Sequence, residues 1–482
     1  MNDSARTPPA RDGAATAPAA GGVAGRALQH GPTLLLAVVV ALLWFSPSFA
    51  SAATLTRAAI LVVFTIAAWA FGLFAEPIAS LVFFLLAVVF RIAAPPVVFS
   101  GFASPAWWLV FGGSIIGMAV NMTGLGERLA ALVFGRASGS YLSAVSAVAI
   151  VAVGLAFIMP STAGRIILLT PIVLAFADRL GLTPGRPGRI GLVMTLAAAS
   201  YMPTSSILPA NVPNTVLLGA ADTLYGIKLA YGPYLLLHFP VLGALKMAAI
   251  VWLVCRVYPE PGKLALTSAA SGRAWSRRER GLAVLLLASL ILFATDFWHG
   301  VSPAWVALGA GILCLMPGAD LVPVKSFAER LNIVTLLYVA GFLGVGAVVA
   351  DSGLGAVVSD GMLRIAGLTP GHTTTNLATL AVIDAGIGLL TTLSGLPAVL
   401  TPLAKHFATA SGLPLEVVLM LQVPVFSTVF LPYQSPPMMI GMQLGGVTLR
   451  QGARLCLPLA AITVLLLLPL DYLWWRVLGY LP

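Results

Sequence analysis

Apolar positions along this chain come in long blocks, not in the short alternation of a strand or the striped period of a soluble helix. Runs of roughly spanning length (about 20 residues) follow one another between short connections rich in Gly, Pro and Arg. This pattern predicts an all-α, polytopic membrane bundle, not a barrel. Leu34–Phe45 is a first short run. Ala58–Ala75 and Ile78–Ala93 form a helical pair turning at Glu76-Pro77, and Trp107–Met122 is a span carrying Gly112, Gly113 and Gly117 for close packing. Leu142–Ile158 and Ile166–Phe176 are apolar arms on either side of Met159-Pro160-Ser161-Thr162-Ala163-Gly164-Arg165. Ile190–Met202 starts a span that Pro203, Pro209 and Pro213 break, together with Asn211 and Asn214, before it resumes at Thr215.

The second half repeats these landmarks in order. Thr123-Gly124-Leu125-Gly126 recurs as Ser352-Gly353-Leu354-Gly355, 229 positions on. Gly164, Thr170 and Pro171 recur as Gly395, Thr401 and Pro402, 231 positions on. Leu208, Pro209 and Pro213 recur as Leu431, Pro432 and Pro436, 223 positions on, with Ser427-Thr428 answering Thr204-Ser205 and Gln434 answering Asn211. Three landmarks in one order at nearly one spacing are an internal repeat of the kind secondary transporters favour. The expected organisation is a disordered cytoplasmic tail (1–30), a first transmembrane helix (31–57), a first repeat (58–257), a cytoplasmic linker (258–281) and a second, inverted repeat (282–482). Ser48-Phe49-Ala50 resembles a signal-cleavage site, but the region before it is long, so the first helix is expected to be retained.

Composition supports the membrane reading: of 482 residues, 59% are hydrophobic and 9% charged, against about 25% charged in soluble domains. The net charge of +10 comes from basic residues in short connections, which is a topology signal and not a nucleic-acid surface. Cys255, Cys314 and Cys456 sit in or beside apolar segments, and the five histidines show no ligand spacing, so no metal is expected. No nucleophile with a base and no paired carboxylates appear in one segment, so the chain reads as a non-enzyme.

Charge also decides how the two arms about Ser161 cross. If only one arm spans, the basic connection Pro259–Arg280 falls outside when the N-terminus is inside, which is the wrong sign. If both arms enter and leave on one face, 18 basic residues lie inside and 6 outside, with Arg165 and Lys246 left in the membrane. The arms therefore form a re-entrant hairpin or two helices. The polar tip and the repeat favour a hairpin, with an inverted counterpart about Thr392-Leu393-Ser394-Gly395. The expectation is about 11 transmembrane helices plus two re-entrant hairpins, whose tips and the two broken helices meet at the bilayer centre.

On these residues the chain resembles the divalent anion/sodium symporter family, the carriers of dicarboxylates, citrate and sulfate. The resemblance spans about residues 58–480. It rests on Trp69 with Glu76-Pro77, Phe111-Gly112-Gly113, the paired hairpins, the two proline-rich breaks, and Pro213-Asn214 with Leu218-Gly219, similar to a family signature. It implies a homodimer, an elevator movement of a transport domain, and sodium near the tips and breaks. Ser161-Thr162-Ala163 and Thr392-Leu393-Ser394 stand where the family has Ser-Asn-Thr, and Pro436-Pro437-Met438 where it has Pro-Pro-Asn.

The expected function is secondary transport of a small organic or inorganic anion of the di/tricarboxylate or sulfate class. Cation coupling is expected, with Na+ or H+ as the coupling ion and no cofactor. A proton-coupled, exchanging or uncoupled anion permease remains open, as does an arsenite-type or sodium/proton carrier. Candidate substrate-binding residues are Ser161, Thr162, Arg165, Thr204, Ser205, Asn214, Thr392, Ser394, Gln434 and Ser435. Candidate ion-coupling residues are Ser161, Asn211, Asp384, Ser427 and Thr428. Arg165 is expected to contact the anion, to pair with Asp384, or to stand in for a cation and make sodium unnecessary. Lys246 is expected to snorkel or pair. The expected setting is the cell inner membrane, with the N-terminus cytoplasmic and no nucleic-acid partner.

Overall fold

A computed structural model describes residues 34–43, 45, 51–70, 73–137, 139–262, 264, 274–390 and 392–481. The tail at 1–30, the Ser48-Phe49-Ala50 motif, and Lys263 and Arg273 of the linker lie outside the described residues. Among the described residues every regular element is helical. Four helices among the described residues are long and apolar enough to cross a membrane, namely Pro105–Thr123, Tyr231–Val257, Ile333–Asp351 and Leu449–Val477. The other apolar helices are shorter, several because a break interrupts them. Large apolar side chains face outward, among them Val382, Leu465 and Val477, each more than 70% exposed, as a lipid-facing surface requires.

The first half runs α1 (Ser51–Ala70), α2 (Glu76–Val89), α3 (Pro105–Thr123), α4 (Leu125–Phe134), α5 (Tyr141–Ala156), α6 (Thr162–Arg179), α7 (Pro187–Tyr201), α8 (Val212–Tyr225) and α9 (Tyr231–Val257). The second runs α10 (Arg277–Ala294), α11 (Pro303–Leu315), α12 (Ile333–Asp351), α13 (Leu354–Ala366), α14 (Thr373–Leu390), α15 (Leu396–Leu400), α16 (Ala404–Ser411), α17 (Leu415–Phe426), α18 (Pro436–Leu444) and α19 (Leu449–Val477). The boundary expected between residues 57 and 58 falls inside α1, because no breaker interrupts Ser51–Ala70. Gly124 and Gly353 both adopt φ of +75° and each N-caps the short helix that follows. Only glycine takes that conformation without strain, which is why the sequence marks the same corner twice. The last helix of each half carries a π-turn, Phe239–Leu245 in α9 and Thr463–Leu467 in α19.

The helical pairs are exchanged between halves. α3 packs on α11, and α2 on α12. A Cβ on Gly112 would meet the Ala307 backbone at 2.5 Å, and one on Gly341 would meet the Ser80 hydroxyl at 2.4 Å. With no hydrophobic drive between helices in lipid, such small-residue contacts let backbones approach and hold the bundle. The same exchange recurs deeper in: α8 packs on α15, and α6 on α18.

The segments expected inside touch one another. Arg128 pairs with Glu279 at 3.0 Å and Arg186 with Glu260; the Leu264 N–H donates to the Gly139 carbonyl at 2.9 Å, and the Tyr258 hydroxyl to the Gln451 carbonyl at 2.6 Å. The connections after α4, α6, α9 and α18 therefore share one face.

The arm that follows the second tip is not a single helix like α6. It divides into α15, a 3-10 turn at Thr401–Leu403, and α16. Pro402 removes a backbone donor there, and the Thr401 hydroxyl turns to the Gln422 side chain at 3.2 Å. At the matching position, the Thr170 hydroxyl bonds the Ile166 carbonyl at 2.6 Å and α6 continues through Pro171.

Candidate functional site

The two proline-rich breaks and the two hairpin tips make the polar centre. Each break ends a helix early and starts another, so it frees carbonyls on one side and N–H groups on the other. In the first half the tip and the break form one cluster. Ser161 N-caps α6 by accepting from Gly164 N at 3.1 Å, and Asn211 N-caps α8 by accepting from Asn214 N at 3.2 Å. The Thr162 hydroxyl donates to the Ala210 carbonyl at 3.2 Å, tying tip to break. Thr204 donates to the Ser200 and Tyr201 carbonyls at 2.8 and 3.0 Å. Ser205 donates to the Tyr201 carbonyl at 3.2 Å and accepts from the Asn211 amide at 3.1 Å. The Asn214 amide donates to the Ile207 carbonyl at 2.7 Å, and its oxygen accepts from the Tyr234 hydroxyl at 3.2 Å.

Arg165 is fully buried in this cluster. Its guanidinium donates to the Met159 carbonyl, to the Ala210 carbonyl at 3.0 Å, to the Ser200 carbonyl at 2.8 Å, and to the Thr162 and Thr204 hydroxyls at 3.2 and 3.4 Å. All five acceptors are neutral oxygens. The expected pairing with Asp384 is not made: among the described residues no ion pair joins Asp384 to Arg165 or Lys246. Asp384 is buried on α14, which packs on α17, away from the Arg165 cluster. The guanidinium is instead met by the carbonyls of Met159, Ala210 and Ser200, which the tip and the break bring within hydrogen-bonding distance.

In the second half, Gln434 latches tip to break. Its amide donates to the Gly388 carbonyl at 2.9 Å, its oxygen accepts from Phe430 N and Leu431 N at 2.9 Å, and its own carbonyl accepts from Leu393 N at 3.1 Å. Gln434 is thereby fully engaged with protein. Ser435 precedes α18, is buried, and its hydroxyl has no hydrogen-bond partner. The α18 start therefore lacks the side-chain cap that Ser161 and Asn211 give α6 and α8. Ser394 is buried in the tip, and the Thr392 hydroxyl lies 3.5 Å from that of Tyr338.

Lys246, fully buried on α9, reaches the second break. Its ammonium donates to the Ser427 carbonyl at 2.8 Å and hydroxyl at 2.9 Å. It neither snorkels nor pairs at hydrogen-bonding distance with an acid. The Thr428 hydroxyl donates to the Pro424 carbonyl at 2.7 Å. Sequence reasoning passed over Asp471 and His238. Both are fully buried, and among the described residues the His238 ring nitrogens have no hydrogen-bond partner. The His238 ring lies 4.7 Å from that of Tyr234 and 5.5 Å from that of Trp475. A single Asp in a long apolar run was the signal available for Asp471.

Each tip also faces an apolar seam. Pro160 and Pro209 line a small cavity with Ile116, Phe293 and Ala307, and Thr392 and Gly395 line another with Trp69 and Phe342. A wider cleft of about 1190 Å³ between α14 and α19 reaches the second break at Thr428 and Phe430.

Comparison with known proteins places this architecture. A membrane protein of Cupriavidus necator is 24% identical over 399 residues, covering 79% of this chain and 76% of its own. The citrate/succinate antiporter of Escherichia coli K12 is 25% identical over 264 residues, 51% of this chain and 53% of its own length, so the match spans about half of that relative. Among solved structures, the YdaH transporter of Alcanivorax borkumensis is similar with a TM-score of 0.45 at 16% identity, covering 78% of this chain and 86% of its own. The sodium:sulfate symporter transmembrane region matches residues 28–481. A helical membrane protein with two matched breaks, followed almost end to end by that pattern, belongs to the sodium:sulfate symporter family of transporters, as the resemblance implied.

Proposed function

We propose that the chain is a secondary active transporter of a small di- or tricarboxylate or sulfate-class anion. One observation carries the anion reading. Four helices start at the tips and breaks, α6, α8, α15 and α18, and pack in the exchanged pairs α6 on α18 and α8 on α15. Helix starts present N–H groups and positive dipole ends, the feature that secondary carriers use to hold anionic groups. Two fully buried basic side chains, Arg165 at the first break and Lys246 at the second, reinforce that sign.

Within the centre, Thr392, Ser394 and Ser435 take the role of anion contacts, because the second-half helix starts are not capped by their own side chains. Ser161, Thr162, Arg165, Thr204, Ser205, Asn214 and Gln434 act one layer back and hold the tips and breaks in place. Asn211, Ser427 and Thr428 belong to that frame as well. Asp384 is left as a proton-accepting candidate beside the α14–α19 cleft.

An elevator movement fits the apolar seams. The hairpins and broken helices form one body, and α1–α3 with α10–α12 another, with apolar cavities between them. The inverted repeat is supported by the matched caps at Gly124 and Gly353, the two π-turns and the exchanged pairs. The assembly is a homodimer in the cell inner membrane, with the N-terminus and the basic face in the cytoplasm. Exchange is the favoured mode, because a citrate/succinate antiporter is among the relatives.

Uptake of labelled succinate, citrate and sulfate into proteoliposomes, with and without sodium, a pH gradient and internal counter-anion, tests the proposal. Saturable uptake of one of these anions, stimulated by internal anion, is the expected result. Movement of a cation with none of the three anions overturns it and favours a sodium/proton carrier.

A further inference from the structure

We propose that Arg165 and Lys246 are tethered cations that fill the cation positions of the two breaks, so that neither break takes up sodium. The proposal rests on the anion-carrier reading above, but its test does not. Its basis is a correspondence between the halves. Thr204 and Ser427 occupy matching places, 223 positions apart, just past the carboxyl ends of α7 and α17. The Thr204 hydroxyl accepts from Arg165 at 3.4 Å, and the Ser427 hydroxyl from Lys246 at 2.9 Å. Each place therefore holds one positive charge, supplied by a different element: the first hairpin in one case, the last helix of the first half in the other.

The oxygens explain why a cation belongs there. A broken helix leaves its last carbonyls without partners and carries negative dipole at its carboxyl end. Half-helix carboxyl ends and unwound carbonyls are what transporters use to coordinate Na+. At the first break and tip the oxygens are the Ser200 carbonyl at the end of α7, the Ala210 carbonyl in the unwound segment and the Met159 carbonyl at the tip, with the Thr162 and Thr204 hydroxyls, and all five accept from one guanidinium. At the second, the Ser427 carbonyl and hydroxyl accept from one ammonium, while Thr428 donates its proton to Pro424. A sodium ion would need the same oxygens and would sit in contact with a fixed positive charge. The residues present therefore do not fit sodium at either break.

Charge balance separates the two sites. Among the described residues Arg165 has no acid at hydrogen-bonding distance, whereas Asp471 on α19 lies within electrostatic range of Lys246 and of Tyr234. His238 on α9 is a further titratable group near Tyr234, its ring packed edge-on against Tyr234 and Trp475. Asp471 lies near the repeat mate of Lys246, each following the π-turn of its half.

The test is thermal unfolding of the purified full-length protein in sodium chloride against choline chloride at equal ionic strength, with labelled-sodium binding in parallel. Wild type should give the same midpoint in both salts and no saturable sodium binding. Lys246→Ala opens the second position, so its lowered midpoint should recover by at least about 3 °C in sodium and not in choline. Lys246→Arg should remain insensitive to sodium. Should Lys246→Ala not be recovered folded, Lys246→Gln keeps a polar contact with Ser427 and is read in the same way. Sodium-specific stabilisation of wild type overturns the proposal, and so does a folded Lys246→Ala or Lys246→Gln that gains neither sodium stabilisation nor sodium binding. If wild type carries no anion at all, the carrier reading fails while the salt comparison still decides this one.

Discussion

Arg165 donates to the Ala210 carbonyl at 3.0 Å, and this bond ties the first hairpin to the first broken helix. Ala210 lies between Pro209 and Asn211, where no helical N–H is available to its carbonyl. The same guanidinium also covers the Met159 and Ser200 carbonyls, so three main-chain acceptors share one side chain, with the Thr162 and Thr204 hydroxyls as second donors to Ala210 and Ser200. Removing it takes the side-chain donor from the Met159 carbonyl and leaves Ala210 and Ser200 with one hydroxyl donor each, at a cost of about 1–3 kcal/mol for a buried acceptor left unpaired.

The first prediction follows from that count. Arg165→Ala should lower the unfolding midpoint severely and abolish uptake. Arg165→Lys should fall between, because an ammonium makes fewer directed bonds than a planar guanidinium. Thermal unfolding in detergent checks the order wild type, Lys, Ala. An Arg165→Ala protein as stable as wild type would sink the positioning role.

Gln434 carries the second prediction. It accepts from Phe430 N and Leu431 N through its amide oxygen and donates to Gly388 through its nitrogen. Gln434→Glu keeps the acceptors and loses the donor; Gln434→Leu loses both. The second tip should loosen in that order, so KM for the transported anion should rise modestly for Glu and about tenfold or more for Leu, the equivalent of about 1.4 kcal/mol. Equal KM values across the series would mean that the latch does not position the anion contacts.

Two glycines on one helix give a matched pair. A Cβ on Gly112 would lie 2.5 Å from the Ala307 backbone, whereas one on Gly117 meets nothing within 4 Å. Gly112→Ala must push α3 away from α11 and should cost about 1–3 kcal/mol. Gly117→Ala should be neutral or stabilising by up to about 1 kcal/mol, because alanine loses less backbone entropy in a helix. Unfolding midpoints of the two single variants, measured side by side, test the exchanged packing of the halves.

The parts of this fold that were legible in the sequence are those that demand a particular residue. Gly124 and Gly353 are visible because a left-handed corner requires glycine. The breaks at Pro209 and Pro432 are visible because proline cannot continue a helix in lipid. What stayed hidden lies in partners without a sequence signature. Arg165 could be singled out as costly, but its acceptors are chiefly main-chain carbonyls, which every residue carries. Lys246 finds Ser427 across 181 positions, and no local pattern foretells that reach. The π-turns in α9 and α19 need no special residue type, so only the backbone reveals them. The division of α15 from α16 has no mark in the sequence, because Pro171 and Pro402 look alike there and differ in what their neighbouring threonines bond.

The last prediction concerns sidedness. The helix ends and connections carrying Asp178, Arg186, Glu260, Arg278 and Gln451 are joined to neighbours by ion pairs and hydrogen bonds. Most of the basic residues lie in these connections, and positive charge is retained on the cytoplasmic side. Arg364 and His372 lie in the α13–α14 region, which the two-arm crossing places on the opposite side. In a background with Cys255, Cys314 and Cys456 replaced, single cysteines at Asp178 and Arg278, both exposed, should react with a membrane-impermeant maleimide only after the cytoplasmic face is opened. Cysteines at Arg364 and His372, also exposed, should react in intact cells. If Asp178 labels from outside, the first hairpin crosses the membrane once, and the re-entrant arrangement about Ser161 is lost. If Arg364 labels from inside, the second half is not inverted relative to the first, and two tips meeting at the bilayer centre would no longer follow from the topology.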